Sequence, residues 1–188
     1  MKHWFPPFAL MCCAILLQPM VARDPVLHVI VQMPILIAVG YFMPLPRDLL
    51  RPDWVMPIFL CSIFTVLIWM LPRSVDAALL TWMGHVAKFA MLPILIGLPL
   101  RLAWGRLDPV LRGFCKAQVV SMSLILAFLY THSPLRICNS YLLEDQQRLG
   151  VAFFVVGIGL IVVWAVPIFL PFSLTYKKGK DHELPNLG

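Results

Sequence analysis

The chain reads as an all-α polytopic membrane bundle of about six transmembrane helices, and three observations predict this. Six apolar stretches, separated by basic or proline-rich punctuation, account for nearly all of its 188 residues. Hydrophobic residues make up 61% of it and charged residues 13%, with a mean hydropathy of +0.86. Soluble domains are about half apolar and about a quarter charged. The Lys and Arg residues, finally, gather in the short segments between apolar stretches. In hydrocarbon no water satisfies backbone N–H and C=O groups, so each stretch must close its own hydrogen bonds as a helix.

The elements follow in order. Residues 8–22 form the first stretch, behind Lys2, ahead of Arg23 and interrupted by Pro19. About 15 apolar residues are short for a span and suit the core of a signal peptide. Met20 fits badly where a cleavage site wants a small residue, so an uncleaved short helix is expected. The second stretch is 26–43 and the third 54–71, joined by a loop bounded by Pro44 and Pro52. The fourth, 75–100, carries His85 and Lys88 in its middle. The fifth is 114–131 and the sixth 149–172. A single transmembrane domain is expected over residues 1–176, followed by a polar cytoplasmic tail, 177–188, that opens on Lys177, Lys178 and Lys180.

Six crossings sort the cations by side. One side receives Lys2, Arg47, Arg51, Arg101, Arg106, Arg112, Lys116, Lys177, Lys178 and Lys180. The other receives Arg23, Arg73, Arg136 and Arg148. Cytoplasmic loops carry the excess of Lys and Arg, so both termini are expected inside a bacterial inner membrane. The segments near Asp24, near Arg73 and over 132–148 are expected outside.

Composition also excludes classes. The net charge is +6, but the cations serve topology, and no basic patch interleaved with stacking aromatics points to nucleic acid. The five cysteines, Cys12, Cys13, Cys61, Cys115 and Cys138, show no C-x-x-C and no zinc spacing. No activated nucleophile or paired acid and base suggests an enzyme.

Polar residues inside such helices cost free energy, so their placement is the best pointer to function. His28 and Gln32 are four apart and share a helix face. His85 lies roughly 15 Å into the fourth stretch at 1.5 Å per residue. Lys88 must snorkel, pair with Asp76 or Asp145, or bond a free carbonyl near Pro93. Met70 closes the third stretch, and His132 and Asp145 belong to the last outward segment. Imidazole and thioether suit Cu(I), which makes His28, His85, Met70, His132 and Asp145 a candidate copper set. Packing and capping explain each of them equally well when taken alone. Glu144 and Asp145, in particular, suit the N-terminal turn of the last helix.

Three segments together resemble the CtaG family of cytochrome c oxidase assembly proteins. Trp69-Met70-Leu71-Pro72, then Asp76-Ala77-Ala78-Leu79 and His85, is similar to the family's W-H-L-P, D-A-A-L and helical histidine. Phe128-Leu129-Tyr130-Thr131-His132-Ser133-Pro134-Leu135 is similar to the end of a family helix that precedes a long loop. Leu143-Glu144-Asp145-Gln146-Gln147 and Gly150 resemble its L-x-D-Q-Q-x-x-G. His28 and Gln32 match its paired histidines in part. The order agrees over about residues 26–170. Two departures stand out: Met70 and Gln32 replace histidines, and the family has about seven helices.

The resemblance implies an accessory role in oxidase assembly, with copper bound near the periplasmic face and passed to oxidase subunits or other copper-handling proteins. Rival readings are a copper or small-solute transporter subunit and a scaffold subunit whose polar residues only lock helices.

Overall fold

The computed structural model describes residues 4–21, 23–46, 49–133 and 142–180. Cys138, Arg136 and residues 181–188 of the tail lie outside them. The described residues form helices joined by short connections, with no strand among them. The helices are α1 (Phe5–Leu16), α2 (Gln18–Val21), α3 (Met33–Tyr41), α4 (Val55–Met70), α5 (Pro72–Leu80), α6 (Trp82–Met91), α7 (Leu98–Ala103), α8 (Pro109–His132) and α9 (Leu143–Lys180). Two π-helical segments, Leu27–Gln32 and Leu92–Gly97, run straight into α3 and α7.

Among the described residues four stretches are long and apolar enough to cross a membrane: Pro52–Met70, Trp82–Arg106, Pro109–His132 and Leu143–Val166. Phe5–Leu16 and Leu27–Tyr41 are shorter apolar helices. Of the six spans expected, four are helices of spanning length among the described residues, and the first two stretches form shorter apolar helices.

The fourth stretch departs most from expectation. Leu71 is extended and Pro72 opens a new helix, where proline suits the first turn because its missing N–H would be unbonded anyway. Thr81 is extended again, and its Oγ1 accepts from the Gly84 N–H at 3.0 Å, capping α6. The span thus begins at Trp82, not near residue 75, and α5 is a separate short helix that buries Val75 and Ala78. At the other end α9 continues to Lys180, beyond residue 177.

Proline also explains the π segments. Pro34 and Pro99 follow them closely, and each lacks an N–H and crowds the carbonyl four residues back. The chain widens instead: Met33 N–H bonds the His28 carbonyl and Leu98 N–H the Pro93 carbonyl, five residues back. Such widenings recur at functional sites. The Leu95 carbonyl, which Pro99 cannot bond, accepts from Ser62 Oγ on α4 at 2.8 Å.

These two widened helices cross at backbone contact. A Cβ on Gly40 would lie 1.9 Å from the Pro93 carbonyl oxygen, and one on Gly97 would lie 2.1 Å from that of Ile37. Small residues permit this approach in membranes, where van der Waals contact drives helix association. Around the crossing sits one apolar cluster that includes Ala14, Leu36, Trp69, Val75, Leu92 and Ile96. Arginines bind the loop at one end. Arg101 donates to the Tyr41 and Leu45 carbonyls at 3.1 and 3.2 Å, and Arg106 to that of Leu50. Helices α8 and α9 form a hairpin, with Tyr130 and Phe153 rings stacked 6.0 Å apart and Gly150 against Thr131.

Candidate functional site

Lys88, near the start of the Trp82–Arg106 span rather than at its middle, organises a polar centre. Lys88 is on α6, one turn beyond His85, and has 0% exposure, as do His28 and Gln32. Its Nζ donates to Gln32 Oε1 at 2.8 Å and to Gln18 Oε1 at 3.3 Å, and meets His28 Nε2 at 3.4 Å. An ammonium has three protons, and three neutral acceptors meet them. His28 Nε2 accepts from the ammonium in the tautomer that carries the ring proton on Nδ1. The Phe89 ring centroid lies 5.3 Å from Nζ, within cation–π range.

The amides complete the network. Gln32 Nε2 donates to Gln18 Oε1 and to the Ala14 carbonyl, both at 2.9 Å. Each element has a local reason to bring its residue here. Gln18 opens α2 at the break beside Pro19, His28 and Gln32 share the inward face of the first π segment, and Lys88 precedes the second. The centre therefore joins three segments that are distant in sequence.

None of the three alternatives expected for Lys88, snorkelling, pairing with Asp76 or Asp145, or bonding a carbonyl near Pro93, is what the structure shows. Among the described residues no carboxylate lies within ion-pair reach of it, and Asp145 and Asp24 face one guanidinium: Arg148 lies 3.8 Å from Asp145 and 3.9 Å from Asp24. Neutral acceptors satisfy the ammonium without requiring a second buried charge.

Of the expected copper set, only His28 belongs to this centre. His85 stands beside it, half-buried, with Trp82 and Phe89 rings at 6.3 and 5.0 Å. Since α6 starts at Trp82, His85 is only about 5 Å from the helix start, far shallower than expected. Met70 ends α4 with 37% exposure. His132 is exposed at the end of α8, its Nδ1 2.8 Å from Thr131 Oγ1. Among the described residues no three His, Cys, Asp or Glu side chains gather closely enough to hold a metal ion.

Gln18 was the residue hardest to anticipate. Its signal was an amide next to a proline inside an apolar stretch, but nothing in the spacing tied residue 18 to residue 88. The two amides after Asp145 also divide unexpectedly, with Gln146 buried and Gln147 exposed.

Fold and site together define a protein whose described residues are helical, with four helices long and apolar enough to cross a membrane and a fully buried, hydrogen-bonded lysine centre. Comparison with protein-family models, curated proteins and solved structures finds no match.

Proposed function

We propose that this chain is a six-crossing accessory protein of the bacterial inner membrane that assists cytochrome c oxidase assembly, with copper as a transient cargo. The observation that carries the reading is a convergence. Two segments that resemble the CtaG motifs, the early helix with His28 and Gln32 and the helix that follows Asp76-Ala77-Ala78-Leu79, meet at Lys88. A copper carrier needs a site that releases its ion, and a cationic side chain on the imidazole lone pair serves that need. Copper would bind His28 and His85 only as the Lys88 ammonium withdraws, which keeps affinity low and release easy. Met70, His132 and Asp145 would act, if at all, on the way out toward the receiving subunit.

The test is Cu(I) binding by the purified protein in detergent, with a chromophoric chelator as competitor. Wild type should bind one weakly held ion, Lys88→Met should bind at least tenfold more tightly, and His28→Ala with His85→Ala should bind none. Absence of copper from both wild type and Lys88→Met would overturn the cargo reading.

One observation favours a second reading. Lys88 has all three protons met by neutral acceptors, which is what a purely structural lock between helices requires. In that case Lys88→Met would change stability and leave copper binding undetectable in every variant.

A further inference from the structure

The lipid-facing surfaces of the spanning helices are not alike. Midway along α4 the exposed side chains include Leu60 and Phe64, and midway along the Leu143–Val166 span they include Phe154 and Val155. The Trp82–Arg106 span likewise exposes Val86 and Ile94. These faces suit acyl chains. On α8, however, Gln118 and Ser121 are exposed near the midpoint of the 24-residue span Pro109–His132.

Phe114, Gln118, Ser121 and Ile125 follow one another at helical spacing, so they form one face. That face is opposite the side packed on α9, where Leu126, Ala127 and Tyr130 are buried. Lys116, the neighbouring cation, turns the other way, with its Nζ 5.7 Å from the Trp164 ring of α9. Among the described residues neither the Gln118 amide nor the Ser121 hydroxyl has a hydrogen-bond partner. Lipid tails offer none, and an unsatisfied amide in hydrocarbon is costly.

We infer that this α8 face is where a second copy of the chain docks, with Gln118 hydrogen-bonded to Gln118 of the other copy at the centre of the bilayer. All copies insert with the same orientation, so a twofold axis along the membrane normal sets α8 parallel to α8 and every residue opposite itself at equal depth. An amide both donates and accepts, so a Gln–Gln pair satisfies both copies. A different partner would need its own polar group at this depth. Ala117 and Ser121 are small enough to let the two backbones approach, and Phe114 and Ile125 supply apolar contact on either side.

The experiment is cross-linking of the full-length chain in proteoliposomes at low protein-to-lipid ratio. Cys12, Cys13, Cys61, Cys115 and Cys138 are replaced by Ala, and a single cysteine is introduced as Ser121→Cys or, for comparison on α4, as Leu60→Cys. Oxidation should join copies at position 121 at least tenfold faster than at position 60. Adding Gln118→Leu should lower the cross-linked fraction about five- to tenfold, the effect of losing two interhelical hydrogen bonds, and Gln118→Asn should retain much of it. Equal rates at positions 60 and 121, or no effect of Gln118→Leu, would overturn the inference. So would cross-linking in native membranes of position 121 to a different polypeptide without self-cross-linking. The readout is independent of copper, so its failure would not touch the cargo reading.

Discussion

A lysine with no accessible surface survives in a bilayer only if its charge is dispersed over acceptors held in place beforehand. Lys88 achieves this with Gln18, Gln32 and His28, and Gln32 is the keystone. It accepts from Lys88 at 2.8 Å while its amide nitrogen ties Ala14 and Gln18 to the same spot. Replacing Gln32 by Leu removes the shortest bond to the ammonium and both links to the first helices. Hydrogen bonds to charged groups contribute about 1.5–3 kcal/mol each, so Gln32→Leu should destabilise the protein by about 2–3 kcal/mol. Gln147→Leu, at an exposed amide, should stay within about 0.5 kcal/mol. Unfolding in mixed micelles of increasing SDS fraction measures both; similar midpoints for the two variants would mean that the buried network is not holding the bundle together.

At the scale of elements, the site depends on how closely two distorted helices approach. Gly40 and Gly97 remove side chains where backbone meets backbone, and Pro34 and Pro99 impose the widened turns on either side. A methyl at residue 97 would lie 2.1 Å from the Ile37 oxygen, 2.9 Å from Gly40 Cα and 3.0 Å from the Tyr41 nitrogen. All three are backbone atoms, so no rotamer change relieves the clash. Gly97→Ala should therefore cost about 3 kcal/mol or more, a large core effect. Gly105→Ala, with nothing within 4 Å of the added carbon, should be nearly neutral. The same micelle titration compares them. The positions of the breaks were partly legible: Pro19 interrupts the first stretch and Pro72 ends the third. The break at Thr81 was not. Thr81 sits in a run of apolar residues, and its extended backbone is stabilised by the cap it gives Gly84 and by α5 packing back over α6, both visible only once the chain is folded.

For the whole molecule, hydropathy was enough to predict an all-helical membrane protein, because the solvent imposes helices on every apolar stretch. It also picked out His28, His85 and Lys88 as costly residues. It could not show which of them meet, because lateral convergence depends on helix rotation and crossing, not on depth. The folded chain adds a consistency in how its ends are arranged. Arg148 lies 3.9 Å from Asp24, which brings two segments expected outside to one end of the bundle. Arg101 and Arg106 bond carbonyls of residues 41, 45 and 50, which brings basic segments expected inside together at another. Those arginines therefore clamp a loop, and they also belong to the Lys and Arg excess by which orientation is expected to be set. If the excess sets orientation, alkaline phosphatase fused after Ser133 will be exported and active, and the same enzyme fused after Gly105 will be inactive. Active fusions at Gly105 and inactive ones at Ser133 would invert the bundle, and would put His85 and its end of α6 on the cytoplasmic side, where delivery to a periplasmic copper centre could not begin.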